Sequence, residues 1–230
     1  MKIESFGVSN VGMKRGQNED NYLINDDLHL YVVADGMGGH LGGEFASKMA
    51  VSTVEEVVER LSNPEATQIH GVNGEETEYG ERLRFAIREA GRRIYDQALY
   101  DETLKGMGTT AVAILVNETK AYVANVGDSR GYLVRNGTIE QITEDHSLVS
   151  EQIKAGILNA QDAKTHRLKN IITRSVGYQE DVDSDIVVID LKQGDRFLLC
   201  SDGLSNLVDD QEICKALSSP GVSLESACHS

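Results

Sequence analysis

Three apolar runs in this chain each close on a small residue and then an aspartate: LYVVADG reaches Asp35, YVANVGD reaches Asp128 and FLLCSDG reaches Asp202. A carboxylate at the end of a buried strand is aimed by a sheet rather than by a loose loop. Two of the three aspartates are followed by glycine, which lets the backbone approach whatever the carboxylate holds, so the Gly36 carbonyl is itself a candidate ligand. Glu19 and Asp20, in RGQNEDN, open another strand and add oxygen donors to the set. Oxygen donors without Cys or His at zinc spacing favour magnesium or manganese over zinc. Asp-Gly is also a common two-residue hairpin turn. Here Asp35-Gly36 runs into MGGHLGGEFASKMAV and Asp202-Gly203 into LSNLVDDQEICKAL, both towards helices, where a hairpin needs a second strand at once.

At 230 residues the chain can bury a substantial core as one large domain or two small ones. Its 22 Lys and Arg against 37 Asp and Glu give a net charge of −15, which argues against nucleic acid as a partner. No apolar stretch resembles a signal peptide or a membrane span. Cys200, Cys214 and Cys228 are odd in number, lack CxxC spacing and fit free thiols in a reducing cytoplasm.

KIESFGVS alternates like a strand, and NYLI and LHLYVVA follow as two more. From Glu44, the positions Phe45, Met49, Val54, Val57, Val58 and Leu61 mark an amphipathic helix. Ser62 to Gly80 reads as an exposed loop, and a second helix starts at Glu81 with Leu83, Ile87, Ala90, Ile94 and Ala98 on one face. TTAVAILV, KAYVANV, RGYLVRN and TIEQI are short strands, with Asn136-Gly137 a hairpin turn. His146 to Gly156 suggests a short helix and Asn159 caps another ending near His166, so residues 145–168 form a candidate inserted flap before SDIVVIDL and DRFLLCS. This order predicts an α+β fold with antiparallel sheets covered by helices, in a single domain. The run GMGGHLGG is not a dinucleotide fingerprint, because Leu41 stands where GxGxxG needs its last glycine.

Seven motifs in order resemble the metal-dependent protein phosphatases of type 2C in their bacterial form. They are RGQNED at 15–20, DGMGGH at 35–40, GTT at 108–110, GDSR at 127–130, EDHS at 144–147, IITRSVG at 171–177 and SDGL at 201–204. The resemblance implies a four-layer α-β-β-α sandwich of two antiparallel sheets flanked by helices, with a two-metal site for Mn2+ or Mg2+ at one end. It implies metal binding by Asp20, Asp35, the Gly36 carbonyl and Asp202, with Glu19 acting through water on the metal. Asp128 matches a ligand of a further, looser third ion. Arg15 is expected to grip phosphate, which its planar guanidinium suits, the rival reading being a surface salt bridge. His40 is a candidate general acid or a structural hydrogen-bond donor, since Met37 stands where animal relatives carry a histidine. The family ends with a further Asp-Asn pair and a last core strand, and this sequence stops at LESACHS before that point, so a shortened domain is expected.

The implied activity is hydrolysis of phosphoserine and phosphothreonine in proteins, opposing a bacterial serine/threonine kinase, by a cytoplasmic monomer without membrane or nucleic-acid partners. A phosphatase of an anti-sigma-factor antagonist shares this chemistry, and a non-catalytic phosphoprotein-binding module is the alternative from another class.

Overall fold

The computed structural model describes residues 2–63, 75–163, 166–219 and 221–230. Among them the elements run β1 (Asp20–Asn25), β2 (Leu30–Met37), α1 (His40–Ser62), α2 (Glu75–Tyr100), β3 (Gly108–Thr109), β4 (Ala111–Val116), β5 (Lys120–Val126), β6 (Arg130–Arg135) and β7 (Thr138–Gln141). There follow α3 (Leu148–Lys154), α4 (Ala160–Ala163), β8 (Asp185–Asp190), β9 (Arg196–Cys200), α5 (Asp202–Ser205), α6 (Asp210–Ser218) and α7 (Leu224–Cys228). The larger sheet has the order β1-β2-β4-β5-β8, with β3 paired to β2, and the smaller is β7-β6-β9. Every named strand pair is antiparallel.

Strand periodicity builds three apolar interfaces from these two sheets. Along β4, Ala111, Ala113 and Leu115 face the α1 and α2 side, where Val54, Val57, Leu83, Ile87 and Ile94 are fully buried. The alternate residues Val112, Ile114 and Val116 face the smaller sheet and meet Phe197 and Leu199. Beyond that sheet, Val134 and Leu198 pack on Ile213 and Leu217 of α6. The layers are therefore helix, sheet, sheet, helix, and each fully buried Val, Leu or Ile contributes roughly 1.5–3 kcal/mol.

The helices depart from the sequence expectation at their ends. α1 starts at His40, four residues before Glu44, and Phe45 is exposed because the buried stripe runs through Ala46, Ala50 and Val54. α2 starts at Glu75 rather than Glu81. Of the expected 62–80 loop, residues 64–74 lie outside the described residues. Asn136 and Gly137 both have positive φ, 53° and 75°, as a two-residue type I′ hairpin requires. Asn159 caps α4, its side-chain oxygen accepting from the Asp162 N–H at 2.8 Å; α4 is described over Ala160–Ala163, and residues 164–165 before His166 lie outside the described residues.

One expected strand is absent. Residues 2–10 form no strand although exposure alternates along them, with Ile3, Ser5 and Gly7 half-buried between exposed neighbours. Side chains hold this segment instead: the Tyr22 hydroxyl donates to the Gly7 carbonyl at 3.2 Å, and the Ser5 hydroxyl to Asp26 at 2.7 Å. Alternation reports which face is covered; a strand also needs a hydrogen-bonded neighbour.

Candidate active site

Antiparallel pairing sets Asp20, the first residue of β1, directly opposite Asp35 near the end of β2. The smaller sheet delivers Asp202, which follows β9 as the first residue of α5, and Asp128 follows β5 in the turn before β6. The Ser201 hydroxyl donates to Asp20 Oδ2 at 3.0 Å, joining the end of β9 to the start of β1. Asn206 Nδ2 donates to Asp202 Oδ2 at 3.0 Å and its Oδ1 accepts from Lys169 Nζ at 3.4 Å. The four aspartates come from separate stretches of chain, and the two sheets bring them to one end of the sandwich.

Their charges feel one another. Burial, then repulsion from Asp20, Asp202 and Asp128, pushes the Asp35 carboxyl up to about 8. Burial, with Asp202 and Asp145, pushes Asp128 up to about 6, against the pull of its own backbone N–H and of Arg130. A divalent cation would supply the missing positive charge, and an all-oxygen donor set suits manganese or magnesium. Among the described residues no group of three or more carboxylate, imidazole or thiol side chains is arranged to hold an ion by itself. An ion here would therefore also draw on main-chain carbonyls and water, the usual manner of binding for magnesium-sized ions.

Gly36 is required by close approach rather than by backbone angle. A Cβ on it would lie 2.0 Å from the Gly43 carbonyl oxygen of α1 and 2.8 Å from the Glu19 oxygen. That carbonyl of Glu19 accepts from the Gly36 N–H at 3.1 Å and from the Ser47 hydroxyl at 2.5 Å. Glu19, Gly36 and the start of α1 are thus packed backbone to backbone, with the Glu19 carboxylate beside Gly43.

Arg15 is exposed and has no hydrogen-bond or ion-pair partner among the described residues, so the rival surface salt bridge does not form. His40 is the first residue of α1, and its side chain lies outside the described residues.

The GTT motif holds the site in a way the sequence did not disclose. Asp35 is gripped through its backbone: its N–H donates to Thr110 Oγ1 at 2.9 Å, and its carbonyl accepts from the Thr109 hydroxyl and the Thr110 N–H, both at 2.9 Å. Thr110 Oγ1 also shares a 2.7 Å hydrogen bond with Ser129 Oγ, both groups being buried. Thr110 therefore links the Asp35 strand to the Asp128 turn. The motif string flagged these residues, but only strand pairing showed what they join. Thr110→Val keeps the shape and leaves the Asp35 N–H and the Ser129 hydroxyl short of a partner, so a loss of about 1–3 kcal/mol is expected in urea unfolding. Ser129→Ala breaks the same bond, and the double variant should lose less than the sum of the two.

Arg130 secures the other side of the turn. Its Nε and Nη2 pair with the two Asp145 oxygens at 3.0 and 2.7 Å, and Nη1 donates to the Tyr132 hydroxyl at 3.1 Å. Gln141 Nε2 adds a donor to Asp145 at 2.8 Å. A bidentate, part-buried pair of this kind fixes geometry as well as charge.

Known proteins share both sequence and shape with this chain. Residues 9–219 match the family described as Protein phosphatase 2C. The serine/threonine phosphatase stp of Listeria welshimeri is 41% identical over 205 residues, which span 88% of this chain and 78% of that protein. The crystal structure of the serine/threonine phosphatase Stp1 from Staphylococcus aureus superposes with a TM-score of 0.82 at 34% identity, covering 96% of this chain and 84% of the other. The catalytic domain of the serine threonine protein phosphatase PstP, solved in complex with two manganese ions, superposes with a TM-score of 0.78 at 33% identity, covering 95% and 85%. Family match, sequence identity and superposed fold agree, and the chain belongs to the protein phosphatase 2C family in its bacterial form.

Proposed function

We propose that this chain hydrolyses phosphoserine and phosphothreonine in proteins with two divalent ions, manganese or magnesium, held by Asp20, Asp35, the Gly36 carbonyl and Asp202. The observation that carries this reading is the convergence of four aspartates from two sheets on one end of the sandwich, with an unpartnered arginine in the segment leading to Asp20. The manganese-bound PstP domain, alike in fold and a third identical, supports the choice of ion. When bound, two such ions supply a water nucleophile at neutral pH and positive charge for the phosphoryl oxygens.

The chain's own residues do the rest. Arg15 donates paired hydrogen bonds to phosphoryl oxygens, which its planar guanidinium suits. Glu19 orients the attacking water, with its carboxylate seated against Gly43. Asp128 serves a third, looser ion. Residues 145–168 act as a flap that selects the phosphoprotein, rooted at its start by the Arg130-paired Asp145 and the buried His146 and Ser147, with α3 and α4 beyond that root; residues 164–165 within it lie outside the described residues. α3 contributes no buried residue, which leaves its faces open to a partner. Among the described residues no helix is long and apolar enough to cross a membrane. The three cysteines are free, as suits a cytoplasmic protein opposing a serine/threonine kinase, and one domain acting as a monomer is sufficient for this chemistry.

Phosphate release from phosphothreonine, phosphoserine and phosphotyrosine peptides, with Mn2+ or with EDTA, tests the proposal. Manganese-dependent turnover of the first two, at least about a hundredfold above the chelated protein, is expected. Phosphopeptide binding without turnover at any metal concentration would instead identify a non-catalytic binding module.

A further inference from the structure

His146, from the EDHS motif, has no role in the chemistry above, yet it is buried at 5% exposure and every polar atom it has is engaged. Its Nδ1 accepts from the Gly127 N–H at 3.1 Å, and its Nε2 lies 3.1 Å from Asp185 Oδ2. A ring nitrogen that accepts from a main-chain N–H carries no proton, so the proton is on Nε2 and is donated to Asp185. Arg174 Nη1 donates to the other Asp185 oxygen at 2.9 Å. Burial opposes ionisation of Asp185, but the hydrogen bonds from His146 and Arg174 outweigh it and hold its carboxyl below the usual value, so the acceptor is an anion.

The main chain repeats the attachment. The His146 N–H donates to the Gly127 carbonyl at 2.9 Å, and the His146 carbonyl accepts from the Thr173 N–H at 2.8 Å. Gly127 is thus held at both of its polar atoms by one residue. It has a φ of 103°, and a Cβ there would lie 2.6 Å from Thr110 Cγ2, so the position takes only glycine, and among the described residues its one further side-chain bond is a longer one from Asn125 Nδ2 to its carbonyl at 3.4 Å. The next residue is Asp128.

We propose that His146 is a positioning residue: by accepting the Gly127 N–H at Nδ1 it fixes the Val126–Gly127 peptide, while its own N–H holds the carbonyl of the next peptide, the one that leads into Asp128, and so it sets the affinity of Asp128 for its cation. This rests on the reading of Asp128 as a ligand of the looser ion. The ring acts through one glycine peptide, and Asp185, anchored by Arg174, acts on the ring by keeping the proton on Nε2. Without the Nδ1 acceptor, a buried N–H is left without a partner and a glycine peptide turns to find one, carrying the carboxylate with it.

Two amide substitutions separate the ring's nitrogens. In His146→Asn the side-chain oxygen occupies the Nδ1 position and can accept from Gly127, while the reach to Asp185 is lost. In His146→Gln the amide reaches the Nε2 position towards Asp185 and offers nothing at Nδ1. Mn2+ binding to the whole chain, followed by the paramagnetic resonance of free Mn2+ and by calorimetry, should show the weakest site losing about tenfold or more in affinity in the Gln variant. The Asn variant should stay within about threefold of wild type, and the tighter sites should be unchanged in both. A merely structural histidine would make both variants alike, whatever their melting temperatures in chelator, and equal weak-site affinities overturn the proposal.

Asp128→Asn separates this from the underlying reading. If it leaves every Mn2+ binding step unchanged, Asp128 is not a ligand. If it abolishes the weak step while His146→Gln keeps it, only the role of His146 fails. Should His146→Gln not fold, Asp185→Ala, at the half-exposed end of the chain of bonds, carries the same test. Loss of the Nε2–H acceptor frees the tautomer and should weaken the same site by clearly more than the threefold allowed to His146→Asn; an unchanged weak site overturns the proposal if nitrogen NMR shows Nδ1 protonated, and the role of Asp185 if Nδ1 stays unprotonated.

Discussion

Asp35→Asn should abolish turnover and at the same time stabilise the metal-free protein. Activity on an aryl phosphate with saturating Mn2+ is expected to fall by about a thousandfold, because in the proposed two-metal site the substitution removes an anionic ligand. The stability effect follows from linkage. The Asp35 carboxyl titrates at about 8 in the folded chain against 3.8 as its ordinary value, with burial as the first cause and Asp20, Asp202 and Asp128 next. An acid with a raised folded pKa binds more protons folded than unfolded between those two values. Stability from this group is therefore full below about pH 4, falls as pH rises through that window, and is lowest above about pH 8. Melting in EDTA should show wild type losing roughly 2–4 kcal/mol between pH 5 and 8. The Asn variant, which cannot titrate there, should lose much less and melt higher than wild type at pH 8. Mn2+ should reverse the order, raising the melting temperature of wild type more at pH 8 than at pH 5, since ligands must be deprotonated to bind. A chelated wild type that gains stability from pH 5 to 8 relative to the variant would contradict the repulsion assigned to these aspartates.

Gly36→Ala should be among the most damaging single methyl additions in the chain. Its φ is not positive, so the cost is steric: the new Cβ would stand 2.0 Å from the Gly43 carbonyl oxygen and 2.3 Å from its carbon. Both are backbone atoms in the first turn of α1, and they cannot yield by changing a rotamer. Relief requires α1 to move away from β2, which strips the packing of Ala46 and Ala50 and separates Glu19 from Gly43. A loss of about 3 kcal/mol or more is expected, read as a fall of roughly 10 °C in melting temperature. Gly16→Ala, with nothing within 4 Å of the added carbon, should stay within about 0.5 kcal/mol. A Gly36→Ala protein as stable as Gly16→Ala would show that α1 is not seated against β2 as described.

The candidate site was legible to the extent that it is written locally. A small residue and an aspartate closing an apolar run marked Asp35, Asp128 and Asp202, and the β-rich runs AVAILV and KAYVANV became central strands buried on both faces. Where a feature depends on a distant partner, local pattern was insufficient. KIESFGVS alternates as a strand does, but no neighbouring strand pairs with it among the described residues. The start of α2 was placed six residues late, because EETEYG shows a single large apolar residue, Tyr79, whose stacking on buried Tyr122 is a tertiary contact that local periodicity does not register.

What the sequence by itself determined is therefore which residues can bury and which carboxylates end a strand, since those follow from side-chain chemistry and a period of two or 3.6. Only the tertiary structure decided which aspartates meet. Asp20 and Asp202 are far apart in the chain and become neighbours because Ser201 bonds to Asp20 across the two sheets. It likewise decided that Thr110 joins Asp35 to Ser129 and that His146 holds Gly127. Each is a hydrogen bond between buried or part-buried groups from distant parts of the chain, and its partner is set by sheet register and layer packing rather than by spacing along the chain.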